Sequence, residues 1–215
     1  MSDTAITFLA SLLALIIAIT THEAAHGFMA KAFGDPTAQR LGRLTLNPIV
    51  HVDPLGTILL PALLYFTGAP FLFGWAKPVP VDFRNLVPRR AGEFMVAIAG
   101  PGINFFLAIL SALLYHINPG GETFGNDLLK FSIKINVMLG VFNLFPILPM
   151  DGGRAFNAFL PARLSFYYSK MEPYGMFVVL ALFLIPIQGQ PMIGWILFPM
   201  VKSTMIGILK LTGHG

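Results

Sequence analysis

The chain alternates long apolar stretches with short basic ones, and that alternation limits its fold more than any other feature. A helix needs about 20 apolar residues to span the ~30 Å hydrocarbon layer of a bilayer. Six stretches are candidates: residues 5 to 33, 55 to 73, 92 to 115, 131 to 149, 174 to 187 and 191 to 209. Of the 215 residues, 55% are hydrophobic and only 11% charged, against roughly 25% charged in a soluble domain. The chain therefore reads as an all-α polytopic membrane protein, a single domain over residues 1 to 215 without internal repeats. Its apolar start from Ile6 to Thr20 follows Ser2 and Asp3 rather than basic residues, so it reads as a retained membrane helix and not as a secretory signal.

Lys and Arg set the orientation, because cytoplasmic loops carry their excess. Residues 31 to 54 hold Lys31, Arg40 and Arg43; residues 74 to 91 hold Lys77, Arg84, Arg89 and Arg90; residues 150 to 173 hold Arg154, Arg163 and Lys170. These three segments read as cytoplasmic. If residues 55 to 73 crossed the membrane, the basic loops on either side of them would face opposite compartments. The segment 55 to 90 is therefore expected to dip in from the cytoplasmic side and return, which non-helical backbone can do only where protein or water satisfies it. Five crossing helices then remain, with the N-terminus outside and the C-terminus cytoplasmic in a cell's inner or plasma membrane. Residues 174 to 209 form a helical hairpin turning at Gln188-Gly189-Gln190.

A net charge of +4 with the basic residues dispersed gives no nucleic-acid surface. The absence of cysteine excludes thiolate metal sites, so any metal must use His and carboxylate ligands. The first apolar stretch contains His22-Glu23-Ala24-Ala25-His26. Helix positions four apart differ by about 40° around the axis and about 6 Å along it, so both imidazoles can reach one metal ion. Glu23 lies off that axis, where it can accept a proton from water instead of ligating. In hydrocarbon, three ionisable groups are costly unless paired or bound, which sharpens the signal. The bland alternative is a polar patch between helices or a proton relay.

A catalytic zinc site usually takes three protein ligands. Asp151 is the candidate for the third: Pro146 and Pro149 break the helix before it and Gly152-Gly153 allow a tight turn after it, leaving its carboxylate on unwound backbone. Counted from the outer face, Glu23 lies about 27 Å along one helix and Asp151 about 26 Å along another. The two groups thus reach similar depth near the inner face. That agreement depends on residues 55 to 73 not crossing.

The sequence resembles the site-2 protease family of intramembrane zinc metalloproteases. The resemblance rests on the helix-borne His22 to His26 motif, on Gly100-Pro101-Gly102-Ile103-Asn104, and on the run from Asn143 to Gly152 that contains both prolines and the Asp-Gly pair. It covers residues 5 to 155, the expected catalytic core. Met150 stands where the family usually has Leu, a swap that conserves volume. No inserted PDZ or CBS domain is visible, so the resemblance is to a compact member. It implies that His22, His26 and Asp151 hold one Zn2+, that Glu23 is the general base, and that Asn104 and Asn143 position substrate or its developing oxyanion. The implied substrate is a transmembrane segment of another protein, cut within the bilayer. A metal or proton transporter is the rival class, but it needs polar groups along a whole path, and the outer halves of these helices read as almost wholly apolar.

Two further segments carry expectations. From Ala76 to Phe83 the chain alternates like a strand with Pro78 and Pro80 on one edge, leaving the edge of Val79 and Val81 free to pair with an extended substrate. His51 and Asp53 are read as ordering the loop that enters the dip, and His116 and His214 as solvated. Trp75 and Trp195 fit interfacial anchors.

Overall fold

The computed structural model describes residues 3 to 67, 74 to 117 and 123 to 214. Helix α1 runs from Asp3 to Ala32, and α2 is a single turn, Thr37–Arg40. A π-turn over Pro54–Leu59 leads into α3, Leu60–Phe66. Then come α4 (Arg89–Ile117), α5 (Phe124–Asn143), α6 (Asp151–Phe159), α7 (Ala162–Ser169), α8 (Glu172–Leu184) and α9 (Gly194–Leu211). Three of these, over Ala5–Ala32, Arg89–Ile117 and Gly194–Leu211, are long and apolar enough to cross a membrane. The return of the expected dip, residues 68 to 73, lies outside the described residues.

The bundle is built on small residues, as lipid-embedded packing requires, because hydrocarbon outside gives large apolar side chains no reason to turn inward. On α1 the buried hydrophobic positions are all alanine, Ala10, Ala14, Ala18, Ala24 and Ala30, while Phe8, Leu9, Leu12, Leu13, Ile16 and Ile17 face outward. Helices α1, α4 and α5 pack on one another, and α9 closes against α5 and α4. The core between the last three joins Ala108 and Ala112 to Val137 and Val141 and to Leu197 and Val201. α1 stops in a Schellman turn: Gly34 takes φ +98°, its N–H donates to Lys31, and the Asp35 N–H reaches back to Ala30.

The hairpin expected over residues 174 to 209 turns where the sequence placed it, at Gln188 and Gly189, but its first arm is short. At 13 residues α8 is about 20 Å long, and its Phe183 meets Phe142 near the C-terminal end of α5. There strands β1 (Pro186–Ile187) and β2 (Gln190–Pro191) pair around Gln188 (φ +51°) and Gly189 (φ +80°), the two positive φ values that a tight hairpin needs. α9 leaves from that point and runs the length of the bundle. The His214 ring beyond its end stacks on Tyr115 (5.7 Å) and meets His116 edge-on (4.9 Å) at the end of α4. Thr7 near the start of α1 bonds to Asp127 at the start of α5. Helices α1, α4, α5 and α9 therefore run end to end, and both ends of the described chain lie at one end of the bundle.

Among the described residues no strand pairs with residues 76 to 83, where one was expected. The N–H groups of Trp75 and Lys77 go to the carbonyls of Gly56 and His51, and that of Val79 goes to the Glu23 carboxylate. Residues 74 to 86 form a strap across the end of α1. Val81 and Phe83 pack with Ala30, Leu86 and Val96 beneath it. The fully buried Asp35 carboxylate fastens the strap, accepting hydrogen bonds from the backbone N–H groups of Thr37 and Asp82, from the Thr37 hydroxyl and from the Asn85 amide. Burial opposes ionisation of Asp35, but these bonds outweigh it and hold the carboxyl below its ordinary range.

Candidate metal centre

His22 and His26 sit one turn apart on α1, in the half nearest the strap. Asp151 is the first residue of α6, delivered there by the turn from Leu144 to Met150. Gly152 and Gly153 are what let that turn fold back: a Cβ on either would strike the backbone of residues 144 to 148. The three side chains converge. The two imidazole Nε2 atoms are 3.1 Å apart, and Asp151 Oδ2 lies 3.1 Å from His22 Nε2 and 3.3 Å from His26 Nε2. Together they are the one group of three or more metal-ligating side chains found among the described residues.

The far side of each ring decides what these atoms are. His22 Nδ1 lies 2.6 Å from Asn104 Oδ1, and His26 Nδ1 lies 2.7 Å from the Val96 carbonyl. Both partners only accept, so each Nδ1 carries a proton and each Nε2 is the nitrogen turned toward Asp151. Asp151 Oδ2 is buried and receives no hydrogen bond. Two ring nitrogens and a carboxylate oxygen thus converge on one point, an arrangement that suits a cation. Tetrahedral zinc holding its ligands at about 2.0–2.1 Å separates donor atoms by roughly 3.3–3.4 Å, which matches the observed triangle. Zinc fits this donor set.

Glycine completes the cradle. An ideal Cβ on Gly100 of α4 would fall 2.6 Å from His22 Cε1 and 2.7 Å from His22 Nε2, and closer still to His26 Nε2. It would occupy the space between the nitrogens. Only a residue without a side chain lets α4 approach here.

Glu23 points away from this triangle. Its Oε2 accepts a 2.8 Å bond from the Val79 N–H, so the strap covers it, and Val79 Cγ1 closes over Gly27 at the level of the next turn. The other expected site residues are placed as follows. Asn104 is fully buried against His22. Asn143 is half-buried on the last turn of α5, donating to the Leu139 carbonyl. Val79 is buried and Val81 half-buried, both on the strap. His51 is buried with Nε2 on the Thr45 carbonyl, and Asp53 caps the π-turn through the N–H groups of Leu55 and Gly56, so both order the loop.

Sequence reasoning missed Asn136 and Asp35, and gave Gly100 no role of its own within its motif. Gly100 lies four residues before Asn104 and so shares its face of α4, and Asn136 lies seven before Asn143 on α5. Either spacing could have drawn attention to them.

Known proteins similar in sequence point to zinc-dependent proteolysis. A family model described as peptidase family M50 matches residues 122 to 186, a stretch that includes Asp151. YwhC of Bacillus subtilis, a candidate zinc metalloprotease by its name, is 38% identical over 208 residues, covering 92% of this chain and 88% of its own. Rip2 of Mycolicibacterium smegmatis, named in the same way, is 28% identical over 173 residues, 80% of this chain and 65% of its own. The zinc metalloprotease MJ0392 of Methanocaldococcus jannaschii is 27% identical over 158 residues, 72% and 35% respectively. No solved structure gives a significant match.

Proposed function

The chain belongs to peptidase family M50 and is an integral-membrane zinc metalloprotease, and from that premise we propose that it hydrolyses peptide bonds within transmembrane segments of other membrane proteins. His22, His26 and Asp151 are the proposed ligands and Glu23 the general base. The observation that carries this is the triangle of donor atoms at 3.1–3.3 Å in an apolar interior. When bound, zinc supplies Lewis acidity, polarising a carbonyl and acidifying a water molecule.

The remaining chemistry belongs to the chain. Glu23 takes a proton from the attacking water and hands it to the leaving amine. Before it can do so its Oε2 must be released by the Val79 N–H, and in this proposal the freed donor then meets a substrate carbonyl. Val81, two residues along the strap, and Asn143, on the last turn of α5, are assigned to substrate contact in this proposal. A substrate helix keeps its own carbonyls bonded, so it must unwind locally; segments with Gly, Pro or Asn near the cut are preferred. The three basic segments gather at the site's end of the bundle, where Arg154 lies over Phe83 and pairs with Glu172. The positive-inside rule assigns that end to the cytoplasm. The four end-to-end helices then put both chain ends on the outer face.

The transporter reading needs one adjustment. The outer halves of the helices are not wholly apolar, because Asn104, Asn136 and Ser111, all buried, and half-buried Ser132 form a polar line leading away from His22. Amides do not take up and pass on protons as imidazoles and carboxylates do, so this line supports holding rather than conduction. Glu23→Gln tests the choice. A protease keeps stoichiometric zinc and loses cleavage of a reconstituted transmembrane substrate by at least ~100-fold. Unchanged cleavage, or an ion flux across liposomes that Glu23→Gln abolishes, overturns it.

A further inference from the structure

The polar line beyond His22 has a fixed direction, and its anchors explain why. Asn104 uses its Nδ2 to donate to Asn136 Oδ1 (2.7 Å) and to the Ala18 carbonyl (3.3 Å). Asn136 uses its own Nδ2 to donate to the Ser132 carbonyl (2.9 Å) and hydroxyl (3.2 Å). Both asparagines are fully buried. The Ser132 and Ala18 carbonyls can only accept, so they dictate which end of each amide is nitrogen. Asn136 must turn its NH2 to Ser132 and therefore its oxygen to Asn104. Asn104 must turn its NH2 to Asn136 and therefore its oxygen to His22. His22 is left with no choice but to donate from Nδ1.

We infer that Asn136, acting through Asn104, is a positioning residue that selects the metal-ready tautomer of His22. The inference rests on the zinc reading of the site and assigns Asn104 to that ring. If Asn136 is removed, only the 3.3 Å bond to Ala18 resists rotation of the Asn104 amide. Once rotated, Asn104 offers an N–H to His22 Nδ1, the ring proton moves to Nε2, and the lone pair facing Asp151 disappears. His26 is independent of this line, because a backbone carbonyl that cannot rotate sets its tautomer. The two rings should therefore respond differently to one substitution in α5.

The test is nitrogen NMR of the five histidines in the full chain, stripped of metal by chelation and assigned by single His→Gln variants, alongside zinc affinity measured by competition with a chelator. Wild-type His22 and His26 should both carry the proton on Nδ1. In Asn136→Leu, His22 should shift toward the Nε2–H form while His26 stays unchanged, and the zinc Kd should rise about 10–100-fold. Ser111→Ala, beyond the last anchoring carbonyl, should change neither reading. Should Asn136→Leu also disturb His26, Asn136→Ala, which adds no bulk, is read by the same two signals. A wild-type His22 protonated on Nε2 overturns the inference without any variant, as does an Asn136→Ala protein with His22 and zinc affinity unchanged. A wild type that binds no zinc instead removes the metalloprotease reading beneath it, so the two failures are distinct.

Discussion

Replacing Gly100 with alanine should separate zinc binding from folding. The added Cβ would lie 2.6 Å from His22 Cε1 and 2.7 Å from its Nε2, and nearer to His26 Nε2. Non-bonded heavy atoms rest at about 3.5 Å, so the His22 ring must withdraw by about 0.8–0.9 Å and the His26 ring by more. Ligand positions in zinc sites hold to about ±0.2 Å, so the displacement is several times what coordination tolerates. The zinc Kd should rise at least ~100-fold, the upper end of what loss of a supporting residue costs. The fold has less to lose. Overpacking costs about 1–3 kcal/mol, and exchanging Gly for Ala within a helix returns about 1 kcal/mol, so the metal-free protein should lose no more than about 2 kcal/mol. Elemental analysis of purified protein, chelator competition and thermal unfolding in detergent measure the three quantities. Gly102→Ala, two residues on, faces open space and should retain zinc fully. Stoichiometric zinc at wild-type affinity in Gly100→Ala would show that the two rings and α4 are not arranged as described.

Stripping zinc with a chelator should abolish cleavage reversibly while leaving helix content unchanged, because the helices pack through their own cores. The unfolding free energy should fall by about 4 kcal/mol if zinc had stood at about a thousand times its Kd, and unchanged thermal stability would count against a resident ion. Val79→Pro removes the N–H that Glu23 accepts; zinc content should hold while kcat/KM for a transmembrane substrate falls about 10-fold, and unimpaired kinetics would sink the role given to the strap. Asp35 predicts an acid limb of stability. Its folded pKa lies below the unfolded value of 3.8, so its contribution is complete above that value and is lost as the pH falls through the folded pKa. Thermal unfolding from about pH 6 to about pH 3 should show Asp35→Asn less stable at the upper end and flatter toward acid, and parallel curves would refute the assignment.

The three side chains that converge were legible because each is announced locally. His22 and His26 are four apart on a helix whose hydrocarbon surroundings forbid idle ionisable groups, and Asp151 follows two helix-breaking prolines and precedes two glycines. The gathering of the basic segments at one end was legible for a similar reason, since charge is read residue by residue. The course of the last third was not. The apolar stretches 174 to 187 and 191 to 209 look alike in sequence, yet the first stays near Phe142 while the second crosses to Tyr115. The strap was read as a free edge because alternation tells which way N–H groups point, not what waits for them; His51 and Glu23 take them.

By itself, then, the sequence determined a lipid-embedded helical protein with two imidazoles and one carboxylate able to meet on a metal, because helical period and the cost of burying charge are properties of short segments. Only the tertiary structure decided that Gly100 makes the floor of the cradle, that Asp35 ties down the strap, and that Asn136 stands two bonds behind His22. Those facts depend on which helix faces come within hydrogen-bonding distance. That is set by the packing of α1, α4 and α5 as a whole, and no single stretch of residues contains it.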